Sequence, residues 1–388
     1  MQHRIPFFFA ALLLAAPLLR GQIPPMQSQQ LMEKGVSLLQ QGKAPEAEPI
    51  LRQAAAIAPD NALIFYYLGS SQMEQKKYAD ASVSLGDALR ADEKRPALTL
   101  QLKRLTTDMY ALSYSLRKDY GRARQIYDAY LAKDSDSPGL LYNLACACAL
   151  GGDRKAALSA LGAALDADKR AVAGPVLPDP NADEDLKGLW GDPVFLATIL
   201  CRLGPQPTDG PATPSVREAA RLLASGDAAK SAELGEKATR TDPKDAVAWF
   251  LLGGALEESK GAVAAQPAFG QALALNQAAG TPLRKPLVRY AEVAVGRALL
   301  EEKKYPDAVK AFQAAVDADP FRPVAFYGLA RAWAGEGDKA QAGLALKRAF
   351  ALKDTAPALD LPLPDPSKDP AFSAWWGDKS WNELLQGL

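Results

Sequence analysis

Site chemistry needs groups that trade protons, attack carbonyls or hold metals, and this chain is poor in them. Its single histidine is His3, which falls in an apolar leader, so the chain after export would hold none. That removes Ser-His-Asp and Cys-His nucleophile arrangements and histidine zinc sites. There are three cysteines. Cys146 and Cys148 lie two apart on one helical stretch, so they point to different faces and cannot readily meet disulfide geometry. Cys201 stands in a later segment, where a pair remains open in an oxidising compartment. The expectation is buried free thiols, with Cys148 packing as a small apolar side chain. Paired carboxylates such as Glu257-Glu258 and Glu301-Glu302 read as solvated helix surface, because acid–base work needs a cleft and perturbed pKa values. No phosphate-binding loop or dinucleotide glycine pattern occurs. The sequence therefore predicts no enzyme, no metal and no cofactor.

The elements that would position any site are helices. The 388 residues carry 45 Lys+Arg against 45 Asp+Glu, which points to neither a nucleic-acid nor an acidic-membrane partner. Alanine and leucine are abundant and no region alternates as a strand would, so the class is all-α. At the start, Gln2, His3 and Arg4 precede an apolar run from Ile5 to Leu19, the layout of a secretory signal peptide. A bilayer span needs about 20 apolar residues, and this run is shorter. We therefore read residues 1–21 as a signal peptide, with no membrane insertion after cleavage; an uncleaved anchor is the alternative. The expected location is the periplasm or cell envelope, or outside the cell.

One stretch, Arg289 to Arg322, sets the pattern for the rest. It reads as two short helices, with Val295, Gly296 and Leu299 on the first and Ala308, Phe312 and Ala315 on the second. Small residues let crossing helices approach, and the larger ones fill the space beside them. Tyr305 covers the turn. Asp319-Pro320 stops the second helix, since proline lacks an amide hydrogen and disfavours helix in the residue before it. This segment resembles the tetratricopeptide repeat family, a helical hairpin of about 34 residues. One hairpin cannot bury its own apolar face, so neighbours must stack.

The resemblance recurs along nearly the whole chain. Gly35, Ala47, Leu51 and Ala54 mark a first repeat; Gly69, Ala81, Leu85 and Ala88 a second. Ala111, Tyr120, Ala123 and Tyr127 mark a third, with Tyr130 where the family has alanine. Leu144, Ala145, Ala157 and Leu161 mark a fourth. The fifth is degenerate, with Ser231 and Gly235 at packing positions; the sixth carries Gly253, Ala265 and Phe269, the seventh is the stretch above, and the eighth carries Ala330, Ala342 and Leu346. Insertions precede the third and seventh repeats, at Pro96 to Lys103 and Gly280 to Val288. Pro96 suits a helical first turn, so the third repeat is expected to open with a lengthened helix. Each half ends alike: Pro178-Asp179-Pro180 and Gly191-Asp192 return as Pro364-Asp365-Pro366 and Gly377-Asp378, with Trp376 at the place of Trp190 and Trp381 at that of Phe195. The expected architecture is an all-α tetratricopeptide solenoid by internal duplication. It comprises a first block with cap over 22–203, a Pro/Gly-rich linker over 204–214, and a second block with cap over 215–388.

For function, the resemblance implies a protein-binding scaffold whose concave groove is lined by first helices. Carried over, the groove would be lined by Tyr66, Met73 and Tyr142 in the first block, and by Phe250, Tyr290, Arg297, Tyr327 and Arg331 in the second. Tyrosine and arginine often dominate interface energy, and arginine grips carboxylates with two prongs. The second block is thus expected to bind an extended or helical segment of a partner protein, holding a carboxylate on Arg297 and Arg331. The competing expectation is that the aromatics are packing and the arginines pair with Glu257, Glu258 and Glu301. The chaperone-tail-binding members use a lysine and an asparagine on the first helix; Lys34 is present, but Val36 stands in the asparagine's place. The role implied is in envelope or secretion assemblies. An alternative is a carbohydrate-recognising or accessory subunit of an envelope enzyme, using Trp375, Trp376 and Trp381 as stacking surfaces. The oligomeric state is left open.

Overall fold

A tight turn between two helices needs one residue in the left-handed region, and the described residues supply one eight times over. The positions are Gly42, Lys76, Lys118, Gly152, Gly226, Gly261, Lys303 and Gly337, all with φ between 59° and 92°. Glycine enters that region without steric cost. The three lysines show that packing on either side fixes the turn even where the residue resists it. The computed structural model describes residues 26–170, 177–203, 213–278, 283–353, 356–357 and 362–388. The expected signal peptide and all but the last two residues of the expected linker lie outside that range.

The chain forms two compact units that divide at residues 144 and 145, and each is taken by itself. The first unit holds α1 (Met26–Gln40), α2 (Ala44–Ile57), α3 (Ala62–Glu74), α4 (Tyr78–Lys94), α5 (Leu100–Ser115), α6 (Tyr120–Leu131) and the start of α7 (Pro138–Leu150). The second continues through α8 (Arg154–Arg170), α9 (Pro193–Leu203), α10 (Pro214–Ala224), α11 (Ala228–Thr241), α12 (Ala246–Lys260) and α13 (Ala262–Ala278). It ends with α14 (Lys285–Glu301), α15 (Tyr305–Ala318), α16 (Pro323–Gly335), α17 (Lys339–Ala351) and α18 (Lys379–Gln386). Short 3-10 turns at Glu184–Leu189 and Pro370–Trp375 precede α9 and α18. Among the described residues there is no strand, and no helix is long and apolar enough to cross a membrane.

The packing rule is the same in both units. Each helix lies against its hairpin partner and then against the next hairpin, as α3 does with α4 and α2, and α14 with α15 and α13. The closest approaches fall on glycine. A Cβ on Gly35 or Gly69 would stand 2.5 Å from Leu51 or Leu85, and one on Gly253 or Gly296 would stand 2.7 or 2.8 Å from Phe269 or Phe312. In all four hairpins the apolar residue follows its glycine by the same interval. Leu51, Leu85, Phe269 and Phe312 are buried, each giving about 1.5–3 kcal/mol of apolar stabilisation.

Two elements differ from the sequence reading. α5 does begin late and run 16 residues, but Pro96 is not in its first turn. Thr99 caps that helix by accepting from Leu102 N, and Pro96 lies in the connection, where Ala97 N and Leu98 N donate to the buried Asp92. The insertion also lengthens α4, to 17 residues. Its counterpart in the second half lengthens both α13 and α14 to 17. The second difference concerns α9, the expected closing helix. It packs on α8 and also along α10, touching α12, so stacking continues across it. At the far end, Phe372 and Trp381 are fully buried against the last hairpin, with the Trp375 ring 4.8 Å from that of Trp381.

Candidate functional site

The helices α12, α14 and α16 open three successive hairpins of the second unit, and their shared face carries most of the polar side chains that the sequence singled out. Fragments of the chain itself already cover its two ends. At one end lies the segment after α8. Arg154 pairs with Asp192 and reaches Glu258 of α12 at 2.7 Å. Arg284, just before α14, donates to Asn181 Oδ1 at 2.7 Å, and Arg322, just before α16, donates to the Lys187 carbonyl at 2.8 Å. Gly191 sits against the Pro286 carbonyl and Gly254 against Pro193, approaches that no Cβ would permit. Asp319, the residue that stops α15, lies 3.3 Å from Arg322 and 3.8 Å from Arg289, and thereby holds two buried guanidiniums at this end.

Past that covered end, a carboxylate shared by a tyrosine and an arginine occurs twice. Glu257 of α12 accepts from Tyr290 Oη at 2.9 Å and pairs with Arg297, both on α14. Asp369, which follows the last hairpin, accepts from Tyr327 Oη at 2.9 Å and lies 3.4 Å from Arg331 Nε, both on α16. Burial, reinforced by the adjacent carboxylate, raises both phenols above their ordinary pKa, so each hydroxyl keeps its proton and donates. The two guanidiniums are 44% exposed and line one cavity of about 260 Å³. Val293, Leu300 and Val324 form apolar wall, Phe312, Tyr327 and Gly328 line it too, and Pro362-Leu363-Pro364 contributes from the C-terminal segment.

The aromatic residues at groove positions are packed. Phe250 is fully buried, with its ring edge-on to Phe269 and Tyr290. Tyr327 is 4% exposed, and Tyr290 is half-buried. In the first unit Tyr66 and Met73 belong to a cluster with Leu85 and Met109, and Tyr142 is buried as well. These side chains build the wall and do not stand free on it. Arg297 and Arg331 share the cavity; Tyr66, Met73 and Tyr142 take no part in it. The predicted arginine pairing is met by Glu257 for Arg297, while Arg331 takes Asp369 and Glu258 takes Arg154.

Several residues were not singled out by sequence. Asp108 of α5 accepts from Tyr127 Oη at 2.8 Å and Asn143 Nδ2 at 2.7 Å, with burial raising its carboxyl against those bonds. Asp369 and Leu363 were invisible as site residues, although the Leu-Pro-Asp-Pro run that begins at Leu363 recurs at 177–180. In that earlier copy Asp183 caps its 3-10 turn as Asp369 caps the later one. Asp183 lies with Asp185 within 4.8 Å of Cys146 Sγ, and Cys146 occupies the helix position that Arg331 holds in the last hairpin. Among the described residues no disulfide joins the three cysteines, and Cys146 and Cys148 are buried. Of the tryptophans considered for sugar stacking, Trp381 is buried, Trp375 is half-buried on it, and Trp376 is 44% exposed.

Family models agree with this hairpin architecture. Family models described as tetratricopeptide repeat match residues 38–104, 263–323 and 293–357. No curated protein sequence matches the chain. Similar solved structures include the TPR2AB domain of yeast Sti1 in complex with pHSP90, at 14% identity over 84% of this chain and 99% of that one, with a TM-score of 0.31. A tetratricopeptide repeat protein from Parabacteroides merdae matches at 13% identity over 84% of this chain and 100% of that one, TM-score 0.33. The C-terminal part of a repeat protein from Cytophaga hutchinsonii matches at 13% over 77% and 99%, TM-score 0.34.

Proposed function

The chain is a tetratricopeptide-repeat protein, and from that premise we propose that it is an exported, non-catalytic scaffold that binds a segment of another protein on the face of α14 and α16. Tetratricopeptide repeats serve protein–protein interaction through stacked hairpins that present a continuous binding surface. One observation carries the choice of face: Arg297 and Arg331, half-exposed and one hairpin apart, flank an apolar cavity of about 260 Å³. Guanidiniums beside apolar wall suit a peptide that brings an apolar side chain and a carboxylate together. The apolar leader at Ile5 to Leu19 supports export, and an exported scaffold meets its partner in the cell envelope or beyond.

The test is affinity capture from an envelope extract, with the chain from Gln22 as bait beside an Arg297→Ala/Arg331→Ala double variant. Both substitutions fall on exposed side chains, and circular dichroism checks that the helices persist. A protein identified by mass spectrometry on the first bait and lost from the second supports the reading. A protein retained equally by both places the contact elsewhere and overturns it. Export is tested separately, by following a leader-fused reporter into the envelope fraction.

A further inference from the structure

The face of α14 and α16 is partly filled by the chain's own tail. Pro362 to Asp369 passes over it with only Leu363, Pro366 and Asp369 turned inward; Pro362, Pro364, Asp365, Ser367 and Lys368 are exposed. Leu363 packs on the apolar cluster of the last two hairpins, and Asp369 is held by Tyr327 and Arg331. Prolines at 362, 364 and 366 favour extended backbone and remove amide donors. Residues 365–369 close a turn, with Lys368 N and Asp369 N both donating to the Asp365 carbonyl. The stretch before it is anchored on the face mainly by Leu363, the hallmark of an element that opens at low cost. It is also a poor fit, because about 260 Å³ stays open beside Leu363. A leucine flanked by prolines and leading into an acidic turn is itself a peptide seated on an arginine-bearing helical face.

We infer that Pro362–Asp369 is an intramolecular ligand, and that the partner binds by displacing it with a segment of the same chemistry: proline-flanked around an apolar residue larger than leucine, with an acidic turn after it. The inference rests on the scaffold reading above and names its partner class. The apolar residue enters the cavity between Val293, Leu300 and Val324. The acidic residue takes the guanidinium of Arg331 in place of Asp369. A cis ligand lowers the apparent affinity of a trans ligand by the fraction of time that the site is open. Closure for about nine-tenths of the time makes that factor about tenfold.

The probe is a fluorescent peptide with the sequence of residues 362–370, titrated against the full chain by anisotropy. Leu363→Asp in the protein removes the apolar anchor and is expected to tighten peptide binding about tenfold. Asp369→Asn is the second variant; asparagine caps a helical turn as well as aspartate does, so the fold is kept while the charge on Arg331 is released. It is expected to tighten binding several-fold. Adding Arg331→Ala to either variant abolishes the gain, and a peptide with phenylalanine at the leucine position binds more tightly than the parent. Variants that stay folded by circular dichroism and bind no better than wild type overturn the inference and leave the segment a structural cap. Equal binding of the leucine and phenylalanine peptides overturns the partner's larger apolar residue. Failure here leaves the captured protein's dependence on Arg297 and Arg331 untouched, so the scaffold reading stands or falls on its own experiment.

Discussion

Phe312 closes against Gly296 so tightly that a methyl group on the glycine would lie 2.8 Å from the ring. Helix propensity alone favours Gly296→Ala by about 1 kcal/mol. The overlap should reverse that sign, because forcing atoms into a packed core costs about 1–3 kcal/mol. Gly270, also inside a helix, has open space where its Cβ would be, so Gly270→Ala should stabilise by up to about 1 kcal/mol. Urea melts of the two variants are expected to move in opposite directions.

Glu48 is an acid-sensitive point of the first unit. Burial opposes its ionisation, but bonds from Lys77, Arg52, Gln75 and Gln72 outweigh it and hold the carboxyl down at about 2, from 4.5. A depressed carboxyl binds fewer protons folded than unfolded. Its contribution is therefore complete above about pH 4.5 and is lost as pH falls toward 2. Glu48→Gln should flatten that part of the stability profile, and Glu48→Ala should cost about 2 kcal/mol at neutral pH.

Glu292 on α14 behaves in the opposite sense. Burial raises its carboxyl to about 7 from 4.5. The folded chain then keeps a proton that the unfolded chain releases, so its stabilising share is present below about pH 4.5 and lost as pH rises through 7. Glu292→Gln should raise the Tm at pH 8 and leave it unchanged at pH 4.

Trp381 is fully buried, and its indole N–H is without an acceptor among the described residues. The matching place in the earlier copy holds Phe195, also fully buried. Trp381→Phe removes the unsatisfied donor while leaving a smaller ring, and a change within about 1 kcal/mol is expected as the two effects offset. Trp381→Ala should cost about 3–5 kcal/mol. Chemical denaturation separates these outcomes.

Lys303, Lys76 and Lys118 occupy left-handed turn positions that five hairpins give to glycine. A side chain there costs about 1–2 kcal/mol. Lys303→Gly should recover about 1 kcal/mol after the entropy lost to a freer unfolded chain. The triple variant should show nearly additive gains, since each lysine amide bonds within its own turn, Lys76 to Met73, Lys118 to Ser115 and Lys303 to Leu300.

The hairpins were legible because their determinants are local. Gly296 and Phe312, or Gly69 and Leu85, recur at one interval, and the interval follows from helix geometry. The site was less legible because its determinants are distant. Tyr327 and Phe250 sit at positions that would face a groove, yet exposure depends on what covers them, and Asp369, 42 residues after Tyr327, is not written into the repeat. Arg297 and Arg331 remain accessible because guanidiniums keep their heads in water while their stems pack. Pro96 misled for a related reason: proline marks a helix start only where the cap precedes it, and here Thr99 comes after.

The position of α9 sets how the second unit must come apart. Leu196, Ala197 and Leu200 of α9 join the same core as Val216, Ala220 and Leu223 of α10. Cutting the chain between them would strip both faces at once, leaving neither fragment with a finished end. Neighbour-to-neighbour coupling then runs unbroken from α8 to α17. The second unit should therefore melt in one cooperative transition, with the closing segment of the first sequence half losing structure together with the hairpins of the second half.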